Sequence, residues 1–247
     1  MSSRAATSRE TRATSRQDRP GIRAERPTAV AVGVLYIVAT VAGVAAGVVG
    51  APTEPVAMAA DRGSVLASAL AVTVMALAVI GVAVMLYPVV SRDASTTLRR
   101  GMATGYLASR VAEGTLFLVG VVVVLAMLAL GEDAASAPGS GAVGTALQAV
   151  DEYSVILGQT AFGVGALLVY WLLYVSGRVP AWLALWGLIA APLFLVSGAT
   201  LPFTHDSSST VSSVLYAPLA VQEMVMAVWL IVRGFRPVAE AVSPRAT

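Results

Sequence analysis

Six apolar runs, each long enough to cross a bilayer, divide this chain of 247 residues, and its arginines avoid every second gap between them. The runs cover residues 28–50, 64–90, 102–130, 153–175, 181–203 and 212–232. A helix needs about 20 residues to span the hydrocarbon layer, and a spanning segment must satisfy its own backbone polar groups. The runs are long and do not alternate, so helices are expected rather than barrel strands. The expected fold is therefore all-α: a polytopic membrane bundle of six transmembrane helices over residues 29–235, with a disordered cytoplasmic tail at 1–28 and a second cytoplasmic tail at 236–247.

The charge pattern orients that bundle. The chain has no lysine, so its 16 basic residues are all arginine. Fourteen lie at the N-terminus, in the second and fourth gaps, and at the C-terminus. Arg62 lies in the first gap, the third and fifth gaps hold none, and Arg110 lies inside an apolar run. Cytoplasmic loops carry the basic excess in membrane proteins. Both termini are thus expected in the cytoplasm, with the six spans in the cell (inner or plasma) membrane.

Composition narrows the function classes. Apolar residues make up 57% of the chain and charged residues 12%, against about 25% charged in soluble domains. The partner implied is the lipid bilayer, and the arginines are candidate contacts for anionic head groups. Nucleic-acid binding would need a folded basic face, and none is evident. With no cysteine, disulfides, thiolate catalysis and cysteine metal sites are excluded. The Arg- and Ser-rich start has the look of a transit peptide, but Glu10, Asp18 and Glu25 argue against one. The first apolar run is also longer than the roughly 7–15 residues of a signal-peptide core.

Several motifs have bland readings. Residues 139–144 form a formal G-x-G-x-x-G, but they sit in the long Gly/Ala/Ser-rich external connection expected over 131–149 and lack the preceding strand that nucleotide binding needs. Gly177 and Pro180 are expected to end one helix and open the next. Pro192 and Pro218 fall inside spans and read as packing kinks. Ala39, Gly43 and Gly47 form a small-residue stripe that lets backbones approach closely, either inside the monomer or across a homodimer. His205, Asp206, Asp151 and Glu152 lie at the expected outer surface, too few and too scattered for a convincing metal site. No catalytic signature is visible, so no enzyme activity and no cofactor are expected.

The sharpest feature is charge inside the spans. Arg110 and Glu113 are on the third run and Glu223 on the sixth. A charge at the bilayer centre costs on the order of 3 kcal/mol on insertion scales, so such groups pair or face water. Counted from the inner end of each run at 1.5 Å per residue, Arg110 lies roughly 12 Å deep, Glu113 roughly 16 Å and Glu223 roughly 15 Å. All three share one layer. Arg110 and Glu113 are three residues apart on one helix face, which Tyr106 and Phe117 extend. A guanidinium can serve two carboxylates at once. One arginine against two acids leaves one negative charge in excess, to be met by a proton, a cation or a donor such as Tyr106. The cluster is either an ion-pair clasp between the third and sixth helices or a substrate, ion or proton site near the midplane.

Four segments resemble an uncharacterised bacterial membrane family, domain of unknown function 4386. The first is Val34-Leu35-Tyr36-Ile37-Val38-Ala39-Thr40-Val41-Ala42-Gly43, similar to that family's opening helix. Arg110-Val111-Ala112-Glu113 resembles its Arg-x-x-Glu, and Ser176-Gly177-Arg178-Val179-Pro180 its Ser-Gly-x-x-Pro turn. Glu223, Trp229-Leu230 and Gly234 resemble its closing residues. The resemblance covers roughly residues 29–235 and implies six membrane helices, but no activity, substrate or cofactor. Three function classes are therefore ranked: a small transporter or proton/ion-coupled membrane component, then a non-catalytic structural or regulatory membrane partner, then an intramembrane enzyme.

Overall fold

The structure is a computed structural model, and it describes residues 20–133, 140–204 and 210–237. Among the described residues there are seven helices: α1 (Pro20–Val49), α2 (Pro55–Ala60), α3 (Arg62–Arg92), α4 (Thr97–Asp133), α5 (Ser140–Ser176), α6 (Ala181–Thr204) and α7 (Thr210–Val232). All but the short α2 are long and apolar enough to cross a membrane. The chain is an integral, multi-pass membrane protein with an all-α bundle.

The helices outrun the apolar runs that announce them. Apolar length reports the hydrocarbon thickness, whereas backbone hydrogen bonding continues into polar sequence beyond it. Residues 20–28 thus continue α1 outward instead of lying in an unstructured tail, with Pro20 at the first helical position, where its missing N–H costs nothing. The connection expected over 131–149 is largely helical: α4 reaches Asp133 and α5 begins at Ser140. Residues 140–144 of the Gly-rich motif form the first turn of α5, where Gly144 faces Pro55 of α2, and residue 139 lies outside the described residues.

Packing follows chain order around a closed ring. Each spanning helix packs on the next, and α7 returns to pack on α1. α2 lies across the end of the bundle against α4. Small residues set the close approaches. A Cβ on Gly33 of α1 would stand 2.6 Å from the Ala227 carbonyl oxygen of α7, so only glycine permits the ring to close there. A Cβ on Gly187 of α6 would likewise meet the Tyr170 ring of α5 at 2.5 Å. On α1, Ala39 packs with Ala78 and Val79 of α3, and Gly43 faces Met75 of α3. Gly47 has open space beside it. Outward, α1 exposes Val34, Val38, Val41, Val44 and Val48, the surface that a bilayer covers.

The two ends of the bundle are tied differently. At the α2 end, Arg62 pairs with Glu132, and Gln148 Nε2 donates to the Thr53 carbonyl at 3.0 Å. Asp61 caps α3 by accepting from the Ser64 N–H. At the opposite end, three other chain segments converge on Arg178, in the tight turn between α5 and α6. Gly177 makes that turn with φ 66°, ending α5 where the Gly177/Pro180 pair places it. Arg178 donates to both oxygens of Asp93, Nε at 2.5 Å and Nη2 at 2.7 Å. Its Nη1 donates to Glu25 at 2.6 Å and its carbonyl accepts from the Arg236 N–H at 2.7 Å. These hydrogen bonds, Asp93 foremost and then Glu25, outweigh burial and raise the guanidinium above its ordinary range.

Candidate functional site

The inward faces of the ring meet at a cluster of polar and aromatic side chains on the bundle axis. Arg110 and Glu113 come from α4, well inside its polar start at Thr97, and both are almost fully buried. Arg110 Nη1 donates to Glu113 Oε2 at 2.9 Å, the i, i+3 pairing expected from their spacing. Glu223 comes from α7. Its Oε1 lies 3.8 Å from Arg110 Nη2, an ion pair without a hydrogen bond. Helices α4 and α7 are not neighbours in the ring, so this pair reaches across the axis. The Phe162 ring of α5 lies under the guanidinium, 4.7 Å from Cζ to centroid, a cation–π contact.

The three carboxylate and guanidinium groups therefore meet in one layer, as their depths require. Tyr106, one turn before Arg110, joins them, while Phe117 packs instead toward Gly158 of α5. Three further residues enter that hydropathy and spacing did not single out. Tyr36 of α1 and Tyr170 of α5 line the same narrow void, together with Tyr106, Arg110, Phe162 and Glu223. Gln222 of α7 is wholly buried and donates from Nε2 to the Leu183 carbonyl of α6 at 3.1 Å. Their signal in sequence is faint, because a neutral Tyr or Gln within an apolar run barely changes its hydropathy.

The cluster is incompletely satisfied. Tyr106 Oη, Tyr170 Oη, Gln222 Oε1 and Arg110 Nε are buried without a hydrogen-bond partner. Unpaired buried polar groups cost roughly 1–3 kcal/mol each. The void between them has no room for the centre of a water molecule, and a site needs on the order of 10–15 Å³ of such space to hold one. Among the cluster acids, Glu113 is held by the arginine and shut off, with 5% of its side chain accessible, whereas Glu223 has 15%. Chemically, the arrangement offers one acid already committed to the guanidinium, one loosely attached, and three phenol groups around it.

The remaining candidates stand apart. Asp151 lies against Gly120 of α4, and Glu152 is exposed. His205 and Asp206 lie outside the described residues. Among the described residues no three His, Asp or Glu side chains converge as metal ligands.

Comparison with known proteins gave no match among curated proteins and none among solved structures. A family model does match, over residues 31–234, with the description Domain of unknown function (DUF4386). The matched region runs from the first spanning helix past the last, and it takes in Arg110, Glu113, Arg178 and Glu223. The four motif resemblances and the match over residues 31–234 agree, and the chain belongs to the domain of unknown function 4386 family.

Proposed function

We propose that the protein is a small proton-coupled membrane transporter component whose axial cluster binds the proton. The observation that carries this reading is the loosely held Glu223, in a cluster with one acid more than it has arginines. Charge must be neutralised where no water fits. The void leaves no space for a hydrated or multiply coordinated cation, but a proton on Glu223 needs none. The unpaired Tyr106 and Tyr170 hydroxyls supply donors to the carboxylate when that proton leaves. In this reading the structure is the closed, protonated form.

The arginine distribution supports both termini in the cytoplasm and the spans in the cell (inner or plasma) membrane. We assign no catalytic activity and no nucleic-acid partner. A homodimer through Ala39, Gly43 and Gly47 draws support only from Gly47, since the other two pack within the chain.

One observation favours the second reading, a structural or regulatory clasp: the cluster is dry and the Arg110–Glu113 pair well formed. Proton flux in proteoliposomes separates the two. Vesicles holding the unmodified protein and a pH-sensitive dye should acidify under an imposed gradient, and Glu223→Gln should abolish that response while leaving the protein inserted and monodisperse. Equal flux in protein-containing and empty vesicles, over a range of pH and with monovalent cations present, leaves the clasp reading.

A further inference from the structure

We propose that the face where α7 meets α1 is a binding site for one anionic phospholipid, whose acyl chain lies along α7 and whose phosphate is held by arginines at its end. An apolar groove of about 610 Å³ runs along this face. Ala220, Met224, Val228 and Val232 of α7 line it, with Thr40 of α1 as its other wall. From Ala220 to Arg233 the helix rises about 20 Å, enough to cover the roughly 15 Å hydrocarbon depth of one leaflet. The groove is not closed by protein, so in a bilayer an acyl chain occupies it.

The end of the groove selects the head group. Arg233 lines it directly. Arg236 stacks over Trp229, another lining residue, at 5.7 Å from Cζ to centroid. Arg26 of α1 donates to the Val232 carbonyl at 3.1 Å. All three are exposed, and among the described residues none is paired with a carboxylate. That contrasts with Arg178, whose carbonyl accepts from the Arg236 N–H and whose guanidinium is held by Asp93 and Glu25. Three unneutralised guanidinium groups at the membrane-surface end of an apolar groove match a phosphodiester with an attached chain. A zwitterionic head group offers no net charge to meet them. This inference does not depend on the proton reading of the axial cluster.

The test uses delipidated full-length protein in detergent. Phosphatidylglycerol and phosphatidylcholine with the same acyl chains are titrated, and binding is read by native mass spectrometry and by the thermal midpoint. Phosphatidylglycerol should bind at least tenfold more tightly. Each arginine near the membrane surface contributes about fivefold, so R233Q with R236Q should weaken phosphatidylglycerol about thirtyfold. The corresponding double lysine variant should keep most of the preference. Val228→Trp, on the exposed wall, should block binding by filling the groove. Equal affinity for the two lipids overturns the proposal, as does a glutamine double variant that keeps the preference. Inorganic phosphate reproducing the full stabilisation would also overturn it, since the site would then bind phosphate and not a lipid. If the glutamine variant does not fold, the lysine variant and Val228→Trp still decide the outcome.

Discussion

Replacing Arg110 by alanine tests the geometry of the axial cluster, because its two acids are held so differently. Glu113 would lose its 2.9 Å hydrogen bond while buried on all sides, and Glu223 would lose a contact of 3.8 Å while partly accessible. Breaking a buried ion pair costs about 3–5 kcal/mol, most of it from the stranded partner. The lost Phe162 contact adds about 0.5–2 kcal/mol. Arg110→Ala should therefore cost about 5 kcal/mol, a large fraction of a domain's stability. Adding Glu113→Gln should recover about 2–3 kcal/mol, and adding Glu223→Gln about 1 kcal/mol, because less charge is stranded there. The assay is a double-mutant cycle on the thermal midpoint in detergent, with the monodisperse fraction after extraction as a second readout. An Arg110→Ala protein as stable as the unmodified one would refute the reasoning. So would rescue by Glu223→Gln that exceeds rescue by Glu113→Gln.

Arg178→Gln removes four charge-assisted hydrogen bonds from the turn between α5 and α6 and should cost about 3 kcal/mol, read as a lowered thermal midpoint. Arg178→Lys should recover less than half of it, since an ammonium cannot reproduce the fork on Asp93. Gly33→Val should open the contact between α1 and α7 and reduce monodisperse protein sharply, whereas Gly47→Val, with open space beside it, should be neutral; size-exclusion profiles compare them. Reporters fused after residues 95 and 240 should be cytoplasmic, and reporters after residues 57 and 140 external; a cytoplasmic reporter at 140 would mean that the third span does not cross.

The six spans were legible because bilayer thickness writes itself into the length of apolar runs. The layer shared by Arg110, Glu113 and Glu223 was legible for a related reason: topology and helix rise together convert residue number into depth. The ring order was not. Nothing in the sequence says that α7 packs on α1, so the Arg110–Glu223 pair reads as a link between two helices, not as a bridge across the bundle axis. Tyr36, Tyr170 and Gln222 were missed because single neutral polar residues hardly alter the hydropathy of a run. In the sequence, Arg178 reads only as an orientation signal inside a tight turn. Its partners lie 85 and 153 residues away, and only the folded ring brings Asp93 and Glu25 to it. The helical starts of α1 and α5 escaped because hydropathy stops at the membrane surface and backbone hydrogen bonding does not.

The most direct measurement of a proton on Glu223 is infrared difference spectroscopy of the reconstituted protein, stepped between acidic and alkaline buffer. Glu223 should give the band of a protonated carboxyl group in a dry environment, lost as the buffer is made alkaline. That band should be absent in Glu223→Gln and unchanged in Glu132→Gln, an acid paired with Arg62 at the end of the bundle. A spectrum with no such band, or one in which the band survives Glu223→Gln, would contradict the assignment.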